Sequence, residues 1–293
     1  MNTSDYPALY ISADAASLVG QATYVRLVKW DLILVVAAAG LGAISPLLTD
    51  DSAQIVAAVI AALLLVAVLL RFATRTLRPD REWFDGRAVA ESVKSLSWRY
   101  MMRVEPYDVP DADADHLFLR HLREILEERK EFRQQLGGLA GDAAQITARM
   151  REVRALPLAG RKGVYVKERV MDQVNWYTGK TQANRRSAGM WFWIGLAGLA
   201  LALLWAVMRV VSLGSLNLIG FFSSVAASVT AWTQLRRYDE LSKSYGLAAQ
   251  ELMIARGLVE GASDEAAFTE AVKDAEGAIS REHTMWVARR SGT

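Results

Sequence analysis

An all-α integral membrane protein, with two two-span helical hairpins and a cytoplasmic helical bundle, is the fold class that these 293 residues predict. Three observations carry it. Four uncharged apolar runs, 32–49, 52–70, 187–208 and 210–235, each approach the ~20 residues that cross a bilayer core as a helix. The runs come in two close pairs, parted only by Asp50 and Asp51 in the first and by Arg209 in the second. No segment alternates apolar and polar residues as a half-buried strand does. Composition agrees: 52% of the residues are hydrophobic and 23% are charged, yet the charges avoid the four runs.

The remaining elements follow in order. Residues 83–103 carry apolar and aromatic side chains at helical spacing and stop at the break formed by Glu105, Pro106 and Pro110. Asp111, Asp113 and Asp115 open a helix expected to reach about Leu136, where Gly137, Gly138 and Gly141 interrupt it. A further helix is expected over 142–156 and a loop over 157–163. From Val164 a helix runs into the third span without a stop, and the fourth span continues to residue 259 as one rod. A last helix covers 264–290.

Flanking cations set the orientation. Arg26, Lys29, Arg71, Arg75, Arg78 and Arg81 bracket the first pair of runs, and Lys180, Arg185, Arg186, Arg236, Arg237 and Lys243 bracket the second. Only Arg209 lies in a connecting loop, so the positive-inside rule places both termini and the central region of a multi-pass protein in the cytoplasm. Trp30, Trp191, Trp193 and Trp232 fall near span ends, where an indole suits the headgroup layer. The first run lacks a small-x-small cleavage pattern and a second span follows it at once, which argues against a removed signal peptide.

The halves repeat one plan: amphipathic helix, hairpin, amphipathic helix. Tyr10 precedes the first span by the same interval as Tyr165 precedes the third. Both hairpins enter and leave on one side, so the duplication is parallel, dividing the chain into units 1–136 and 137–293. The stretch from Trp83-Phe84-Asp85-Gly86-Arg87 through Trp98-Arg99-Tyr100, then Arg151 and Arg154, Tyr165, Arg169-Val170, Asp172-Gln173, Trp176-Tyr177 and Lys180, resembles the bacterial SLATT family. These are the SMODS and SLOG-associating two-transmembrane effector domains. Glu282, His283 and Trp286 resemble the end of the same domain. The resemblance covers nearly the whole chain as two tandem copies. It implies a membrane effector, pore-forming or ion-channel-like, acting in bacterial defence or stress signalling with a nucleotide-signalling or sensor protein as partner.

Several patterns exclude chemistry. With no cysteine, thiolate metal sites, thiol nucleophiles and disulfides are absent. The formal net charge of +2, without interleaved basic and aromatic residues, does not suit nucleic acid. Asp111, Asp113 and Asp115 lack the glycine and bidentate glutamate of a calcium loop and fit helix capping. His116 and His121 are five apart and cannot share a helix face as zinc ligands. The expectation is a protein that is not an enzyme and holds no cofactor or metal.

Two candidate sites remain. Trp83, Arg87, Glu91, Lys94 and Trp98 share one helix face, and Arg169, Gln173 and Trp176 form a similar stripe before the third span. They are read either as a cytoplasmic interaction face or as the packing surface between the two helices. In the fourth span Gly220, Ser223, Ser224, Ala227, Ser228, Thr230 and Ala231 form a small, hydroxyl-bearing stripe. It fits a close-packed seam against Gly195, Gly198 and Ala202 of the third span, or a weakly polar pore lining. In the first hairpin, Ala37, Gly40 and Ala43 read as packing. Without intramembrane charge one chain makes a poor conduit, so a homo-oligomer in the lipid bilayer is expected. The leading reading is a pore gated through its cytoplasmic helices. The alternative is a non-conducting membrane scaffold whose helical bundle docks partner proteins.

Overall fold

In a computed structural model every regular element among the described residues is helical. Those residues are 1–129, 132, 144–211 and 216–291, with side chains to residue 280. The expected end of a helix at Leu136 and the breaks at Gly137, Gly138 and Gly141 lie outside them, as do the side chains of Glu282, His283 and Trp286.

The helices are α1 (Ala8–Ile44), α2 (Asp50–Leu77), α3 (Pro79–Met102), α4 (Asp111–Glu128), α5 (Ala148–Ala155), α6 (Leu158–Tyr165), α7 (Met171–Val210), α8 (Ile219–Arg236), α9 (Tyr238–Gly261) and α10 (Glu265–Ser291). One π-helical turn, Val166–Val170, joins α6 to α7. The plan is visibly doubled. A long unbroken helix (α1, α7) is followed by a return helix (α2, α8), and each return helix ends on a left-handed arginine. Arg78 has φ 47° and Arg237 has φ 48°, and each accepts the C-cap geometry that more often selects glycine. A 24-residue helix starts at once after each (α3, α9), and a further helix follows (α4, α10).

Two expectations need correction here. Residues 157–163 are not a loop: Pro157, fixed near φ −62°, caps α6, and the buried Arg161 ties that helix to neighbouring carbonyls. Nor does the fourth span run on as one rod, because Arg237 turns the backbone left-handed before α9 begins.

The chain divides into two compact units. The apolar unit comprises 22–79 and 182–242. Among the described residues three helical stretches are long and apolar enough to cross a membrane: Ala8–Leu47, Asp50–Met102 and Leu158–Val210; α8, where the fourth span was expected, is not in that set. Between α1 and α2 the chain turns through Ser45–Leu47, and Asp50 and Asp51 then occupy the first turn of α2, where the helix dipole favours carboxylates. Most large side chains of this unit, such as Leu69, Phe72, Leu203 and Val207, are exposed in the isolated chain. Its interior is made of small residues: Ala38, Ala43, Ala67, Ala202 and Ala226 are buried. Gly40 lets Phe221 of α8 approach α1, since a Cβ there would sit 3.4 Å from the Phe221 ring. Asp31, buried at the foot of the first apolar run, accepts hydrogen bonds from Arg71 Nε at 2.9 and 3.1 Å.

The polar unit holds residues 1–21, 80–181 and 243 onward. Its core is conventional, with Val89, Val93, Met101, Phe118, Met150, Leu252 and Val272 buried. α1 and α3 approach so closely at Gly86 that a Cβ would lie 2.9 Å from the Ala13 carbonyl oxygen and from the Ser17 nitrogen. The Ser17 hydroxyl donates to the Trp83 carbonyl at 3.1 Å beside this contact.

Candidate functional site

In the apolar unit the two sides of α8 do different things. Toward α7 it presents Phe222, Ala226 and Val229. A Cβ on Gly198 would lie 3.3 Å from the Phe222 carbonyl oxygen and 3.4 Å from Ala226, and one on Gly195 would lie 3.2 Å from Val229. Ala202 is buried, as expected, and this is a small-residue seam of the kind that lets helices meet in lipid. The predicted stripe lies largely on the other side. Gly220, Ser223, Ala227, Thr230 and Ala231 are exposed, and Ser224 and Ser228 are half-buried at the margin. Sequence spacing located the α7 half of the seam, Gly195, Gly198 and Ala202, but not its α8 partners Phe222 and Val229, which carry neither hydroxyls nor minimal side chains. The Thr230 hydroxyl donates back to the Ala226 carbonyl at 3.0 Å, which satisfies it without a second helix. Trp205 Nε1 donates to the Leu216 carbonyl at 2.8 Å, tying the end of α7 to the segment before α8. In the first hairpin Ala43 is buried, Gly40 meets Phe221, and Ala37 is exposed.

In the polar unit the two charged stripes meet each other. Trp83, Trp98, Arg169 and Gln173 are buried, Arg87, Glu91 and Lys94 are half-buried, and only Trp176 of the eight is exposed. Arg87 pairs with Glu91 at 2.8 Å. Arg169 Nε and Nη2 donate to the two oxygens of Glu276 at 2.8 and 2.7 Å, and Nη2 also reaches the Ser95 hydroxyl at 3.2 Å. The Tyr165 hydroxyl donates to Glu276 at 2.9 Å. Trp98 stacks edge-on to Tyr165 and donates from its indole to the Tyr6 hydroxyl at 3.0 Å. Apart from Trp176, these residues therefore pack within the unit.

Burial dominates the electrostatics of this cluster. Desolvation alone would lower the Arg169 pKa, but the Glu276 charge and its hydrogen bonds outweigh it and hold the guanidinium charged. For Lys94 the Glu91 and Asp172 charges do not offset burial. Its ammonium lies 5.7 Å above the Tyr6 ring, and desolvation, reinforced by the Arg169 charge, lowers its pKa. Burial pushes Tyr6 up to about 12 and raises the Asp14 carboxyl.

Sequence reading missed the other two buried arginines as anchors. Arg154 donates to Asp111 at 2.8 Å and to the carbonyls of Tyr100 and Val109 at 2.7 and 2.9 Å. Arg161 donates to the carbonyls of Leu156 and Met102 at 3.1 and 2.7 Å and to the Glu265 carboxylate. Tyr100 and Met102 end α3, so the two guanidinium forks satisfy carbonyls that a helix terminus leaves open. Asp111 and Asp115 consequently do other work than the capping expected of them. Asp111 takes Arg154, while Asp115 accepts from the Tyr100 hydroxyl at 2.5 Å and pairs with Arg151 at 2.9 Å. His121 Nδ1 lies 2.6 Å from the Tyr107 hydroxyl, a structural contact.

Long apolar helices joined to a charged, well-packed helical unit define the class: an all-helical membrane protein. Two family models then cover almost the whole chain. SMODS and SLOG-associating 2TM effector domain 3 matches residues 7–162, and domain 1 of the same name matches 165–286. The chain belongs to this SLATT family and carries two such domains in tandem. No curated protein and no solved structure matches it.

Proposed function

We propose that the chain is a pore-forming, ion-channel-like effector of the bacterial inner membrane, gated through its cytoplasmic helices in defence or stress signalling. Its four apolar runs cross as two hairpins with both termini inside, and several copies assemble around a common axis. The observation that carries this reading is the outward side of α8. Small and hydroxyl-bearing residues there are left over after the seam with α7 is complete. Facing lipid they would contribute little packing, whereas a ring of such faces turned inward encloses a weakly polar, water-compatible passage. Cations clustered at the inner ends of the spans and Asp50 and Asp51 at the outer turn bias ion entry. A nucleotide-signalling or sensor protein is the expected trigger.

Reconstituted protein in liposomes tests this through ion flux. Flux that appears with the wild type and is reduced by Ser223→Leu or Thr230→Leu supports the pore. Tight liposomes under every trigger, with both variants equally well folded, support the scaffold reading instead. That second reading has its own observation, an uncovered apolar face on α9.

A further inference from the structure

The two repeats treat equivalent faces of one helix differently. The left-handed arginines Arg78 and Arg237 fix the register between α3 and α9 at 159 positions. In this register Gly86 corresponds to Tyr245 and Ser97 to Arg256, and Gly86, Tyr245 and Arg256 each meet the long helix of their own repeat. Gly86 meets Ala13 and Ser17 of α1. Tyr245 stacks on Trp176 and Tyr177 of α7, and Arg256 Nη1 reaches Met171 Sδ at 3.4 Å.

The adjoining face of α3 carries Glu91, Lys94, Ser95, Trp98 and Met102. The second repeat meets it, with Tyr165 on the Trp98 ring and Arg169 on the Ser95 hydroxyl, beside Tyr6 of the first, which takes the Trp98 indole hydrogen bond and lies under Lys94. The corresponding residues on α9 are Gln250, Met253, Ile254, Gly257 and Gly261, and all five are exposed. Ile254 is 68% exposed and Met253 45%, and the neighbouring Leu247 and Leu258 are 59% and 51% exposed. A Cβ on Gly257 or Gly261 would meet nothing within 4 Å. α9 thus carries two apolar sets, one of Tyr245, Ala248, Leu252, Ala255 and Val259 buried in its own unit, and one that is exposed.

We infer that the Leu247–Leu258 face of α9 docks a SLATT unit of a second copy of this chain, as the matching face of α3 already docks the second repeat within one chain. The inference rests on the membrane oligomer proposed above and names its cytoplasmic contact. The four large side chains leave on the order of 400 Å² of apolar surface uncovered, within the range of functional patches on single chains. That is about half of what each partner buries in a standard stable interface, ~800 Å². Copies held in one membrane at one orientation meet at high effective concentration, so a face of this size suffices.

The test uses the full chain in liposomes, with Ile254 replaced by the photo-cross-linking residue p-benzoylphenylalanine and, in a control, Glu270, exposed elsewhere in the unit. The inference expects a covalent dimer from position 254 and none from 270. It also expects a second substitution, Leu258→Lys, to lower that dimer yield about tenfold or more at unchanged helicity and melting temperature. Monomer only, a lipid adduct, a cross-link within one chain, or equal dimer yield from both positions overturns it. In native membranes, capture of an unrelated protein in place of a second copy overturns it too. Failure of the pore is a separate result. A position-254 dimer in liposomes that stay tight keeps the α9 contact and removes the pore, whereas ion flux without that dimer does the reverse.

Discussion

Arg169 is fully desolvated and stays charged because one carboxylate, Glu276, accepts two of its hydrogen bonds. Removing one partner of such a pair strands the other in a medium of low polarity. Glu276→Gln should therefore cost about 3–5 kcal/mol in denaturant unfolding, while Arg169→Met combined with Glu276→Leu should recover most of the loss. Lys94 makes the opposite case. Its folded pKa is depressed, so the unfolded chain binds more protons between that value and 10.5, and the penalty of burying Lys94 fades as pH rises through that window. Lys94→Met should raise the melting temperature at pH 7, and its advantage over the wild type should shrink toward pH 10. A constant difference across that range would contradict the assignment. The helical stripes containing Lys94 and Arg169 were legible from spacing, and so was their meeting. Glu276 was not, because it lies 107 positions from Arg169 and carries no local pattern. Nor was the Asp31–Arg71 pair, which becomes visible only once α1 and α2 are folded back on each other.

Among the elements, close approach decides more than propensity. The Cβ of Gly86→Ala would strike backbone atoms of α1, which cannot rotate away, so the variant should lose about 2 kcal/mol or more in a chemical denaturation midpoint series. Gly163 in α6 meets nothing within 4 Å, and Gly163→Ala should be neutral or stabilising by up to ~1 kcal/mol. Helix existence was readable along the chain from apolar periodicity and from the proline break after α3. The two misread stretches have local causes. Two glycines made 157–163 look like a loop, but Arg161 gains three hydrogen-bonding partners only if that stretch is helical. At Arg237 the arginine gives no sign that it will adopt a left-handed conformation, and the same holds for Arg78. The duplication supplies the missing hint, since the return helix of each repeat stops on the same residue type.

For the whole molecule, the tandem SLATT architecture means that one chain already contains one contact between two units, with a second, equivalent face left open on α9. If that face takes a second copy, as proposed, the arrangement extends by adding chains and closes into a ring or pairs. In the proposed pore the stripe on α8 lines the passage. The sequence located it by residue type and spacing. The structure separates it from the Phe222, Ala226 and Val229 seam, a distinction that composition does not encode. Because the chain has no cysteine, single cysteines can be placed along α8 and probed with a charged, water-borne thiol reagent during bilayer recordings. The account predicts that Ser223→Cys, Ala227→Cys and Thr230→Cys channels lose current on modification, whereas Ala226→Cys and Val229→Cys channels do not. Current that is indifferent to modification along the whole stripe, or that is blocked at Ala226 and Val229 instead, would contradict it.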